Sequence, residues 1–182
     1  MIYLPNIFSL IRIILVPLIL WLLINDLFII SAITIIIVGL TDFFDGYLAR
    51  KYNAESLVGF YLDAIADKVL IITTYLILGI KLLLPLYLII LIISREALIS
   101  GAYLFKLALD LKFNLRPILI SKINTFLQII LIVFVCLLTT NQINQMGEAM
   151  FIINLLIVLV TITTIVSSLI YIIIWIKVVG NE

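Results

Sequence analysis

The chain has 182 residues, of which 66% are hydrophobic, and a mean hydropathy of +1.42. A soluble domain is about half apolar, so this composition excludes one and specifies a membrane protein. Charged residues make up 12% with a net charge of +1, which argues against a nucleic-acid or strongly acidic partner, and the single cysteine, Cys136, excludes an intrachain disulfide.

At about 20 residues per membrane helix, the apolar stretches predict six spans, at 5–25, 27–50, 56–80, 82–106, 116–140 and 149–177. The expectation is an all-α integral membrane protein, a six-transmembrane-helix bundle forming a single domain over residues 1–182. The first span lacks a basic leader and a small-residue cleavage site, so it reads as a retained span and not as a signal peptide. It carries Asn6, Ser9 and Arg12 at three-residue spacing, with Pro17 as a kink. Arg12 either snorkels to the interface or faces the bundle and closes a site there.

Span 2 is β-branched and featureless up to Gly39 and then delivers Asp42 and Asp45 to its end. Span 3 has Gly59, Asp63, Asp67 and Lys68 in its first half. Span 4 holds Arg95-Glu96 between Ser94 and Ser100, which reads either as a buried ion pair or as a cation kept for an anionic substrate. Span 5 opens on Arg116-Pro117, and Ser121, Thr125 and Gln128 follow at i, i+4, i+7 with Lys122 beside them, a polar helix face. Span 6 carries Thr161, Thr163, Thr164, Ser167 and Ser168, small polar residues suited to close packing, and ends on the interfacial anchors Tyr171, Trp175 and Lys177.

Arg50, Lys51, Lys106, Lys112, Arg116 and Lys177 fall on one side of this arrangement and Lys81 on the other. The positive-inside rule then predicts both termini in the cytoplasm and an active site that opens there.

The densest chemistry lies between residues 42 and 67: Asp42, Asp45, Gly46, Ala49, Arg50, then Gly59, Asp63 and Asp67. On helices, Asp42 and Asp45 share a face, and Gly59, Asp63 and Asp67 recur every fourth residue. Crowded carboxylates either take up protons or bind cations. With no histidine in the chain, the ligand set suits a hard dication, Mg²⁺ or Mn²⁺, and two such ions would grip a pyrophosphate. Arg50 offers a planar fork for phosphate. A cation path through a small transporter is the competing reading. Gly46, Ala49 and Gly59 weigh against it, since small residues among the acids let a bulky ligand approach the backbone.

The pattern D-x2-D-G-x2-A-R-x8-G-x3-D-x3-D resembles the signature of the CDP-alcohol phosphotransferases, membrane enzymes of phospholipid synthesis, and all eight fixed positions are present. The resemblance implies displacement of CMP from CDP-diacylglycerol by an acceptor hydroxyl. Metals would sit on Asp42, Asp45, Asp63 and Asp67, with Asp67 also the base. The nucleotide would lie against Asp42, Gly46, Ala49, Arg50 and Gly59, and a homodimer in a bacterial inner membrane is the family expectation.

The Leu4-Pro5-Asn6-xx-Ser9-xx-Arg12 entry, Ser94-Arg95-Glu96 and the Ser121 to Gln128 run extend the resemblance to the branch of phosphatidylglycerophosphate synthases and CMP-forming cardiolipin synthases. Their acceptors, glycerol 3-phosphate and phosphatidylglycerol, both carry phosphate, which suits Arg95 and Lys122, with Arg12 and Arg116 as further acceptor-side cations. The run from Ile120 is closer to the cardiolipin synthases, and Tyr103 stands where the glycerophosphate enzymes have another arginine. Cardiolipin synthase is the reading preferred from sequence, phosphatidylglycerophosphate synthase the second.

Overall fold

The protein is described by a computed structural model covering residues 4–52, 57–108, 118–140 and 147–179, with the side chains of 4–13, 42–52, 57–64, 103–108, 140, 148 and 177–179 outside that description. The regular structure in these residues is helical throughout: α1 (Leu4–Ile24), α2 (Phe28–Tyr52), α3 (Leu57–Ile80), α4 (Leu86–Ala108), α5 (Leu119–Thr140) and α6 (Gly147–Val179). Isoleucine-rich segments are indifferent helix formers in water, but hydrocarbon offers the backbone no partner, and a helix satisfies its own amides. Among the described residues, two helices contain stretches long and apolar enough to cross a membrane, Leu119–Thr139 and Ala149–Ile176. Helix α6, with 33 residues, is about 50 Å long at 1.5 Å per residue. That exceeds a hydrocarbon core of about 30 Å.

The outer faces are consistent with a membrane protein. Ile14, Leu18 and Trp21 of α1, Ile29, Ile33 and Ile36 of α2, and Phe151, Ile162, Leu169 and Ile173 of α6 are all exposed. Apolar surface on this scale belongs against lipid. Hydroxyl groups are kept off the lipid by bonding back to their own helix, as Thr34 Oγ1 does to the Ile30 carbonyl at 2.8 Å and Thr161 Oγ1 to the Ile157 carbonyl at 2.7 Å.

The chain forms two compact units, Met1–Leu83 with Ile132–Met146, and Leu84–Leu131 with Gly147–Glu182. In the first, α1 packs against both α2 and α3. Ile19, Leu23, Ala32, Tyr75 and Leu78 are fully buried there, and Cys136 is buried in the same unit. In the second, α4 packs against α6. The buried stripe of α6, Ile157, Val160, Thr164, Ser167 and Tyr171, follows the alternating three- and four-residue spacing of a helix seam.

Helices α1 and α3 end in the same way. The Leu27 amide bonds the Leu22 carbonyl and the Asp26 amide that of Leu23; the Leu83 amide bonds the Leu78 carbonyl and the Leu82 amide that of Gly79. Both are Schellman ends, with Asp26 (φ 59°) and Leu82 (φ 58°) in the left-handed position that usually takes glycine. Lys81 ties the two together: its ammonium donates to the Ile24 carbonyl at 3.1 Å and to the Asp26 carboxylate at 2.5 Å, and lies 5.6 Å from the Phe28 ring centroid. A cation on the last carbonyls of α1 also opposes the helix dipole. Lys81→Met is therefore expected to lower the unfolding midpoint in detergent by the equivalent of about 1 kcal/mol or less, Asp26 being largely exposed. An unchanged midpoint would mean that the tie contributes nothing.

This tie fixes the polarity of the first unit. The C-termini of α1 and α3 lie together, and α2 returns along α1 after the short turn at Asn25–Leu27. The end of α2 and the start of α3 consequently share the opposite end, separated in sequence by residues 53–56 alone. Span 4 was expected from residue 82, and α4 starts at Leu86 instead. The left-handed Leu82 and then Pro85, which disfavours helical backbone at the residue before it, delay the start.

Candidate active site

Asp42, Asp45, Gly46, Ala49 and Arg50 occupy the last turns of α2, and Gly59, Asp63 and Asp67 the first turns of α3. The fold of the first unit thus carries both halves of the motif to one end. Of these side chains Asp67 alone lies in the described set. It is half-buried, one residue from the buried Ala66 and two from the exposed Ile65. Lys68 is likewise half-buried. Arg12 lies on α1, the helix that packs against both α2 and α3, with its side chain outside the described set. Arg116 lies outside the described residues.

The donor set itself tests which metal the motif suits. The chain has no histidine, and its one thiol, Cys136, is buried in α5. Carboxylate oxygens are what the motif offers, and they fit a hard dication such as Mg²⁺ or Mn²⁺.

The second unit contains a separate polar centre. Arg95 and Glu96 are 2% and 5% exposed, low enough that each charge needs a partner. Arg95 Nη1 donates to Glu96 Oε1, and Nη2 donates to Ser121 Oγ and, at 3.5 Å, to Ser167 Oγ. One guanidinium therefore joins α4, α5 and α6. A turn further along, Asn124 Oδ1 accepts from Thr163 Oγ1 at 2.8 Å and Thr164 Oγ1 at 2.9 Å. Helices α5 and α6 are antiparallel here, with residue 121 level with 167 and 124 with 164. Arg95 Nε and Asn124 Nδ2 are buried donors without a partner among the described residues.

Of the two sequence readings of Arg95, the geometry shows the buried ion pair. Lys122, next to Ser121, is exposed. The polar face expected at Ser121, Thr125 and Gln128 is rotated slightly. Asn124 and Gln128 are the fully buried residues, whereas Thr125 is half-buried and bonds back to the Ser121 carbonyl at 3.2 Å. Sequence reasoning took Thr164 and Ser167 as packing residues only and missed their hydrogen bonds to α4 and α5. The signal was present in their place on the buried seam of α6.

The family model for CDP-alcohol phosphatidyltransferase matches residues 2–180, and the chain belongs to that family of transferases. Among individual proteins, it is 31% identical over 177 residues to the CDP-diacylglycerol–glycerol-3-phosphate 3-phosphatidyltransferase of Aquifex aeolicus, covering 94% of this chain and 91% of that protein. It is 34% identical over 146 residues to the chloroplastic CDP-diacylglycerol–glycerol-3-phosphate 3-phosphatidyltransferase 1 of Oryza sativa subsp. japonica, with 71% of this chain and 44% of that protein covered. To the Homo sapiens cardiolipin synthase (CMP-forming) it is 36% identical over 144 residues, with 70% and 48% covered. The chain thus spans about half the length of the rice and human proteins.

Proposed function

We propose that residues 1–182 act as one catalytic domain, a CDP-diacylglycerol-dependent phosphatidyltransferase of anionic phospholipid synthesis that releases CMP, with phosphatidylglycerol as acceptor and cardiolipin as product. The observation that carries the reaction class is the complete eight-position motif, delivered to one end of the first unit by α2 and α3. The acceptor hydroxyl oxygen bonds to the phosphorus that bears the diacylglycerol. The bond from that phosphorus to the CMP oxygen breaks, CMP leaves with the electron pair, and the hydroxyl proton passes to Asp67. Divalent metal held by Asp42, Asp45, Asp63 and Asp67 would offset the charge of the pyrophosphate. Arg50 grips phosphate, while Gly46, Ala49 and Gly59 leave room for the nucleotide.

On the acceptor side, Glu96 already neutralises Arg95, so Arg95 contributes a hydrogen-bond donor, its Nε, more than net charge. Lys122 is then the cation for the acceptor phosphate, with Arg12 and Arg116 as outlying cations. Lys122→Gln is expected to raise the apparent KM for the acceptor about tenfold, the worth of one charged hydrogen bond, and to leave that for CDP-diacylglycerol nearly unchanged. A selective effect on the CDP-lipid would move Lys122 to the donor site.

The second reading, phosphatidylglycerophosphate synthase, is favoured by the nearly full-length similarity to the Aquifex protein. Supplying CDP-diacylglycerol with each acceptor in turn and identifying the lipid product separates the two. All six helices would span the membrane, with the motif end and both termini cytoplasmic, as the distribution of lysine and arginine indicates. A homodimer in a bacterial inner membrane completes the proposal.

A further inference from the structure

We infer that the turn closing α3 is seated at the boundary between headgroups and acyl chains of the leaflet opposite the carboxylate end, as a lipid-bound surface and not as a loop in water. The inference rests on the membrane-spanning reading, not on the reaction proposed above. A connection that faces water ordinarily presents polar side chains. Here Ile80 is 80% and Leu82 90% exposed, and Lys81, the cation between them, is turned inward onto the Ile24 carbonyl and the Asp26 carboxylate.

The backbone is arranged to the same end. The Schellman bonds from Leu82 and Leu83 satisfy carbonyls of the last turn of α3 within the turn, reducing its need for water. Leucine occupies the left-handed position that glycine usually takes, and its side chain is directed out of the protein.

The surroundings identify the occupant as lipid. The exposed belt of α1, Ile14, Leu18 and Trp21, runs up to Ile24 and Leu27, also exposed, at the end that Lys81 ties to α3. The turn therefore continues a surface already facing acyl chains. Trp21 lies one helical turn before Asn25 and Asp26, the depth at which tryptophan anchors a span, and the paired Asp26 and Lys81 place a neutral ion pair at headgroup level.

The test uses the full chain with Cys136→Ala and Leu82→Cys, labelled with an environment-sensitive fluorophore and reconstituted in vesicles of phosphatidylethanolamine and phosphatidylglycerol. Lipids carrying a nitroxide near the top of the acyl chain are expected to quench the label at least twofold more than iodide in the aqueous phase. The same measurement at Ile80→Cys gives the same answer if the Leu82 variant does not fold. Efficient quenching by iodide without quenching by lipid would put the turn in water. Quenching by neither would mean that protein, such as a second copy of the chain, covers it. Either result overturns the inference.

Discussion

Asp67→Asn is expected to lower turnover at least about 10²-fold, the usual contribution of a positioned general base. Amide and carboxylate have nearly the same shape, so the half-buried position on α3 should accommodate the change without loss of fold. The informative comparison is between turnover and affinity for CDP-diacylglycerol. If Asp67 takes the proton, turnover falls and binding of the CDP-lipid changes little. Loss of binding with no separate effect on turnover would make Asp67 chiefly a metal ligand, and an active variant would remove it from the chemistry.

The second large effect belongs to the other unit. Arg95→Gln leaves Glu96, 5% exposed, without its cation and removes the link to Ser121 and Ser167. Breaking a buried ion pair from one side costs about 3–5 kcal/mol, a large part of the stability of a small bundle. Thermal unfolding in detergent should show it as a marked drop in midpoint. Adding Glu96→Gln should recover a substantial part of the loss, because the stranded charge disappears with it. If the double variant is no more stable than Arg95→Gln alone, the ion pair is not what holds α4, α5 and α6 at this point.

Much of this architecture is legible in the chain because the membrane leaves few alternatives. Six apolar runs predicted six membrane helices; six helices lie where the runs are, and two of them contain stretches long and apolar enough to cross a membrane among the described residues. The start of α4 was not legible. Residues 82–85 are as apolar as any span, and hydropathy does not register a left-handed leucine or the inward turn of Lys81.

The site divides in the same way. The aspartates stood out because charge inside an apolar chain is rare, and their spacing matched a specific signature. The partnership of Asn124 with Thr163 and Thr164 joins residues about 40 apart, and periodicity along one helix cannot give the register of its neighbour. A small helical rotation was enough to favour Thr125 over Asn124 on paper. Arg95 and Glu96 were seen as a pair, but their link through Ser167 to α6 needed the fold.

The most direct test of the account supplies the purified protein, in lipid vesicles, with CDP-diacylglycerol and phosphatidylglycerol and follows CMP release together with the lipid product. CMP and cardiolipin should appear together, vanish when a chelator removes divalent metal, and return on adding Mg²⁺ or Mn²⁺. Full activity in metal-free buffer would contradict the carboxylate-held metal, and no CMP from CDP-diacylglycerol with either phosphatidylglycerol or glycerol 3-phosphate would contradict the proposed reaction itself.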